Sequence, residues 1–228
     1  MPPSPSSARR VTVVVAATPG LNDAQARSAV LGRTAAVLQV PPEGLRVDHD
    51  SRGRPRLSGL GPGTHVSLSH GRGFAAVAVT RAGPVGVDVE AVRPLPALRL
   101  ARRWFTPAEA AWLHALPESR RPAAYFWLWT HKEAMGKALG TGLAHGGLSR
   151  PAPLPGRWPP PSGARLLPCG AKGAEALAVA APRVAPNVQL AVAAVGMGGF
   201  GAPVDVYLRT GPAGLKASLD SPTYTCQF

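Results

Sequence analysis

Val85-Gly86-Val87-Asp88-Val89-Glu90 is the stretch from which the fold can be read. Valine at alternate positions predicts a β-strand, and the period of two puts Asp88 and Glu90 on one face with Val87 and Val89 on the other. The turn Ala82-Gly83-Pro84 separates this strand from what precedes it. Downstream, Thr106-Pro107-Ala108-Glu109 combines a capping threonine, a proline at the first helical position and a glutamate at the third. This capping box predicts a helix running to about Leu116. A second helix is predicted from about Ala123 to Leu139, closed by Gly140 and Gly142.

Working outward, Val11 to Ala17 reads as a strand behind a disordered leader at residues 1–8. Asn22 to Gln39 reads as a helix capped by Asn22, with Leu31, Ala35 and Leu38 at helical spacing, stopped by Pro41-Pro42. Leu45 to Val47 reads as a short strand before the basic turn Ser51 to Arg56, and Val66 to Ser69 and Phe74 to Thr80 read as neighbouring strands. Pro151 to Pro161 is a proline-rich connection, and Leu177 to Ala181 and Val188 to Val195 are predicted strands. Gly196 to Phe228 lacks convincing periodicity. Strands and helices intermix without a βαβα alternation, which predicts an α+β fold.

Lysine and arginine outnumber aspartate and glutamate 25 to 12, a net charge of +13 over 228 residues. That imbalance calls for anionic partners without choosing among nucleic acid, membrane, phosphorylated small molecule and acidic protein. Cys169 and Cys226 are far apart and lack metal-ligand spacing, so neither a disulfide framework nor a cysteine zinc site is expected, and a reducing cytoplasm is the simpler location. Arg9-Arg10 before Val11 to Ala17 superficially resembles an export leader, but the short valine-rich run reads as a strand. No run approaches the 18 or more apolar residues of a membrane-spanning helix.

The few acidic residues are informative in their placement. Ser51 to Val87 holds no carboxylate but contains Arg52, Arg54, Arg56, Arg72 and Arg81, a segment suited to phosphate. On the second predicted helix Trp129, Glu133 and Lys137 follow one another at i+4 and share a face, while Leu128, Met135 and Leu139 form another. Each motif alone has an ordinary explanation. Asp88 and Glu90 fit a solvated strand end, and Glu133 with Lys137 fits an exposed helix pair worth ~0.5 kcal/mol.

Taken together the motifs resemble the signature of the Sfp-type 4′-phosphopantetheinyl transferases. Gly86-Val87-Asp88-Val89-Glu90 is similar to the family's G-[VI]-D-[VI]-E strand, and Trp129 to Lys137 to its W-x-x-K-E-A-x-x-K helix. Between them Trp104-Phe105-Thr106-Pro107-Ala108-Glu109 resembles F-F-x-x-x-E, with Trp104 for the first aromatic. Gly53-Arg54-Pro55 stands where the family has G-K-P, and Ser67-Leu68-Ser69-His70 resembles S-x-S-H. These elements keep the family's order between Gly53 and Leu143.

The resemblance implies two similar α+β lobes related by a pseudo-twofold axis, with the active site in the cleft between them. Residues 1–83 would form the N-terminal lobe and 84–196 the C-terminal lobe, leaving 197–228 as a tail of unclear structure. It implies a monomer that moves the phosphopantetheine arm of coenzyme A onto a serine of an apo acyl or peptidyl carrier protein, releasing 3′,5′-ADP. Asp88, Glu90 and Glu133 would be ligands of Mg2+, or of Mn2+, and Lys137 would hydrogen-bond the reacting phosphate. Arg54 and His70, assisted by Ser69, would hold coenzyme phosphates, and Arg27 on the first helix would reach the 3′-phosphate. Glu109 has two roles open to it, helix capping and orienting a water or the attacking serine. The general base is left among Glu133, Glu109 and a metal-bound water. The carrier would be acidic, complementing the +13 charge. Two other readings stand beside this one. A basic nucleic-acid-binding protein fits the charge but lacks a recognised motif, and an inactive relative fits poorly with all three acids present.

Overall fold

The computed structural model describes residues 10–51, 53–143, 146–163, 165–169, 177–196 and 204–209. The predicted leader at 1–8, Arg52, His145 and Cys226 lie outside them. The elements in order are β1 (Val11–Ala17), α1 (Asp23–Leu38), β2 (Val47–His49), β3 (Pro55–Leu57), β4 (His65–Gly71), β5 (Phe74–Thr80), β6 (Val85–Ala91), α2 (Ala97–Trp104), α3 (Pro107–Ala115), α4 (Arg121–Leu139), β7 (Leu167–Pro168), β8 (Leu177–Ala180), β9 (Val188–Val195) and β10 (Val204–Arg209). The mixture of helices and largely antiparallel strands is the α+β fold expected.

Among the described residues there are two four-stranded sheets, ordered β10-β1-β5-β4 and β6-β9-β8-β7, and a small β2-β3 hairpin. The sheets share a core. Val11, Val13, Val15, Ala76 and Ala78 of the first pack with Val85, Val87, Val89, Leu190 and Val192 of the second. On its other face the first sheet is covered by α1 through Ala26, Val30 and Ala35. The second is covered by α2, α3 and α4, with Phe126, Leu128 and Met135 against Ala191 and Ala193. The period of two in β6 is therefore used on both sides, valines into the shared core and the alternate residues toward α4.

Local signals operate where they were read. Asn22 caps α1 and Thr106 caps α3, each in a complete capping box, the first completed by Gln25. Gly140 ends α4 in the left-handed region at φ 69°, where a side chain would be strained. Several elements differ from the sequence reading, among them β3 and β7, which were not read as strands. Helix α2 was not predicted, because its arginine-rich polar face masks the two buried alanines, Ala97 and Ala101, that anchor it. The short strand read at Leu45 to Val47 lies later, at Val47–His49, and pairs with Pro55–Leu57. Residues 204–209, grouped with the tail, form β10 parallel to β1, a pairing across some 190 residues that no local pattern announces.

Gly86 sits where β6 meets α4. A Cβ there would overlap the Ala134 carbonyl oxygen and lie 2.6 Å from the Ala138 nitrogen, both backbone atoms. Gly86→Ala is expected to cost about 3 kcal/mol, since a backbone contact cannot yield as a side chain can, and urea unfolding would measure it.

His131 of α4 is fully buried against Trp127, ring centroids 4.0 Å apart, with Nδ1 donating to the Trp127 carbonyl at 2.7 Å. Burial lowers its pKa to about 4. Below pH 6.5 the unfolded chain takes up a proton that the folded chain refuses until about pH 4. This group's contribution is thus complete above pH 6.5 and lost as pH falls toward 4, up to about 3 kcal/mol. His131→Gln is expected to remove that part of the acid sensitivity, read as the difference in urea midpoints between wild type and variant at pH 7 and 4.5.

Candidate active site

Two serines on β4 build the floor of the site. Ser67 Oγ accepts from the Val87 amide at 3.0 Å and Ser69 Oγ from the Val89 amide at 3.3 Å. These side chains join the edge of the first sheet to β6 of the second, where ladder hydrogen bonds do not. Ser69 Oγ then donates to Asp88 Oδ1 at 2.7 Å. The Ser69 hydroxyl thus orients Asp88 and ties down β6.

Asp88 is 6% exposed. Its Oδ1 also accepts from Lys137 Nζ at 2.8 Å, and the same ammonium donates to the Val87 carbonyl at 3.0 Å. Among the described residues its Oδ2 is buried with no hydrogen-bond partner. Burial raises the Asp88 pKa, opposed by Lys137 and then Ser69. Lys137 therefore pairs across to β6, where the sequence offered a bond back to Glu133. The helix face that looks solvated in a linear reading lies against the sheet.

Glu90, two residues along β6, accepts from Arg93 Nη1 at 2.9 Å. Glu133 is half-buried on α4. Its pKa is raised by burial first, then by the negative charge of Asp88 and, more weakly, of Glu90, against the opposing pull of Lys137. Asp88, Glu90 and Glu133 thus share one electrostatic neighbourhood. Among the described residues no three His, Cys, Asp or Glu side chains are drawn close enough to hold an ion as they stand; Lys137 and Arg93 pair with the β6 carboxylates. The donor set nevertheless suits a hard divalent cation. It is made of carboxylate oxygens alone, and among the described residues a buried oxygen of Asp88 is left without a partner, which in low dielectric is costly unless a cation or donor reaches it.

Glu109 is fixed elsewhere. It is 1% exposed, Oε2 accepts from the Thr106 amide at 2.8 Å, and Oε1 accepts from the Ala152 amide at 2.8 Å and pairs with Lys132 Nζ at 2.8 Å. Lys132 is 0% exposed, its pKa lowered by burial. Its ammonium also donates to the Arg150 carbonyl at 2.6 Å and stands 4.9 Å from the centre of the Phe105 ring. Of the two roles open to Glu109, capping is the one its contacts display, extended by a buried ion pair that binds α3, α4 and the loop at 150–152.

The proposed coenzyme-binding residues are spread along the first sheet and its neighbours. The Arg54 guanidinium donates from Nη2 to the Leu139 carbonyl at 3.1 Å and fills the space a Cβ would take at Gly140. A cation there complements the negative end of the helix dipole. His70, exposed at the end of β4, has Nδ1 3.5 Å from Asp23 Oδ1 at the start of α1, and Arg27 is exposed one turn along the same helix. Sequence reasoning missed Arg93, which lies beyond the strand motif. It placed Lys132 and Ser67 in the quoted motifs but gave them no role, and only their contacts reveal their partners.

Breaking the Glu109–Lys132 pair strands a buried charge, so Glu109→Gln or Lys132→Met is expected to cost about 3–5 kcal/mol. The double replacement should cost less than the sum. Denaturant unfolding of the three variants would measure this coupling.

Residues 84–153 match the family model described as the 4′-phosphopantetheinyl transferase superfamily. The chain is 38% identical over 110 residues to 4′-phosphopantetheinyl transferase HetI of Nostoc sp., covering 47% of this chain and 46% of that protein. It is 35% identical over 107 residues to 4′-phosphopantetheinyl transferase psf-1 of Bacillus pumilus, covering 47% and 45%. Against 4′-phosphopantetheinyl transferase Sfp of Bacillus subtilis it is 28% identical over 106 residues, 46% of each. The chain spans about half the length of the curated relatives it matches. The matched segment contains β6, α3 and α4 and with them every acidic residue of the site, and over that segment the chain is similar to the 4′-phosphopantetheinyl transferases.

Proposed function

We propose that this chain transfers the 4′-phosphopantetheine arm of coenzyme A to a serine hydroxyl of an apo carrier protein, with release of 3′,5′-ADP. The observation that carries this reading is the meeting of β6 and α4, where Lys137 pairs with Asp88 at 2.8 Å and Glu133 feels the charges of Asp88 and Glu90. Asp88, Glu90 and Glu133 would hold magnesium, or manganese. That ion would neutralise the pyrophosphate of coenzyme A and ease departure of the nucleotide.

Lys137 would exchange part of its bond to Asp88 for an oxygen of the reacting phosphate, placing positive charge where negative charge builds. Glu133 is the group best suited to accept the serine proton. It lies on α4 beside Asp88 and Glu90, whereas the Glu109 oxygens are already committed to Lys132 and two amides. The serine oxygen would form the new bond to phosphorus as the bond to the bridging oxygen of the pyrophosphate breaks. His70 and Arg27, on exposed positions near the start of α1, would meet the coenzyme's phosphates, and Arg54 would do so only by leaving Leu139.

The two sheets with their helices would form the N-terminal and C-terminal lobes of a pseudo-twofold monomer, with coenzyme A in the cleft between them and the boundary near residue 83. The net charge of +13 favours an acidic carrier. No helix among the described residues is long and apolar enough to cross a membrane, and a cytoplasmic setting suits both substrates.

Incubation with apo-carrier, coenzyme A and magnesium is expected to add about 340 Da to the carrier, seen by intact-mass spectrometry. Asp88→Ala and Glu133→Ala should each lower the rate by at least about 100-fold with unchanged far-UV circular dichroism. Full activity in either folded variant would remove the assignment.

A further inference from the structure

Arg93 is the charged group nearest the proposed cation ligands that the reaction does not use. Its Nη1 donates to Glu90 Oε2 at 2.9 Å and to the Ala91 carbonyl at 3.1 Å, and its guanidinium carbon stands 4.3 Å above the centre of the Phe126 ring. Phe126 belongs to α4 and is buried. Two of these three anchors, the carbonyl and the ring face, do not involve the Glu90 carboxylate. The guanidinium is therefore held beside Glu90 whether or not Glu90 is bonded to it, and stacking on an aromatic face suits arginine's planar group.

We propose that Arg93 is a built-in counter-ion of Glu90 that a divalent cation must displace, so that it sets the cation affinity of the site. The inference rests on the reading of Asp88, Glu90 and Glu133 as cation ligands. It accounts for an otherwise puzzling arrangement. Three carboxylates in one neighbourhood, one of them buried, would repel strongly if left uncompensated. Lys137 neutralises Asp88 and Arg93 neutralises Glu90, and with Glu90 turned to Arg93 the three acids do not close on a common point. A divalent cation has to win Glu90 from a partner that stays close by and continues to oppose it by like charge. The result is a site that keeps its fold without metal and binds metal more weakly than its carboxylates alone would.

The test is a Mn2+ titration of the full chain without coenzyme A or carrier, following the free Mn2+ signal by electron paramagnetic resonance, for wild type, Arg93→Gln, Arg93→Lys and Glu133→Gln. Near-UV circular dichroism confirms that the Phe126 packing survives in each. Arg93→Gln is expected to bind Mn2+ about tenfold tighter, the effect of deleting one nearby positive charge in a partly screened setting. Arg93→Lys, which keeps the charge, should stay within about threefold of wild type. If Arg93→Gln binds no tighter than wild type while Glu133→Gln binds more weakly, the role of Arg93 is refuted and the cation site stands. If Arg93→Lys tightens as much as Arg93→Gln, charge is not the cause and the proposal also fails. Equal Mn2+ affinity in wild type and Glu133→Gln would overturn the cation reading itself, and this inference with it.

Discussion

The backbone of α4 lies directly on β6 because residue 86 has no side chain, and that close approach governs the chemistry of the site. With any larger residue the helix would stand off the strand, and Lys137 would lose its reach to Asp88 Oδ1 and the Val87 carbonyl. Contact between strand and helix also buries Asp88 and half-buries Glu133, so their charges act in a medium of lower dielectric than water. Burial, pairing and the raised proton affinities of both acids are consequences of one packing distance.

Within that contact the acids and cations alternate. Asp88 is matched by Lys137, Glu90 by Arg93, and Glu133 is left with its charge opposed only at a distance. A raised pKa means the folded chain favours the protonated carboxyl, so above the ordinary carboxylate range these two acids cost stability that a bound cation would return. Asp88 and Glu90 each thus have a balancing partner inside the chain.

The neighbouring charged residues hold the framework. Glu109 and Lys132 form a buried pair that closes α3 onto α4 and onto the loop at 150–152. Arg54 brings the β2–β3 hairpin to the end of α4 by donating to the Leu139 carbonyl. Ser67 and Ser69 join the two sheets through hydroxyls. Residue types that in a linear motif look like substrate-binding groups thus include several whose observed partners are other parts of the chain.

Periodicity and capping chemistry act over a few residues, so the sequence alone was enough to place β1, β5, β6 and β9, the capped starts of α1 and α3, and the glycine end of α4. The same local order made Asp88 and Glu90 share a face and put Glu133 and Lys137 one turn apart. Pairings between distant segments carry no such local mark. Which acid Lys137 would choose, where Glu109 and Arg54 would spend their hydrogen bonds, that Arg93 would stand on Glu90 and that residues 204–209 would return beside β1 were decided only when strand and helix packed together. Burial there removes water as a competing partner, and each charged group must then take the partner that the tertiary contact brings within reach.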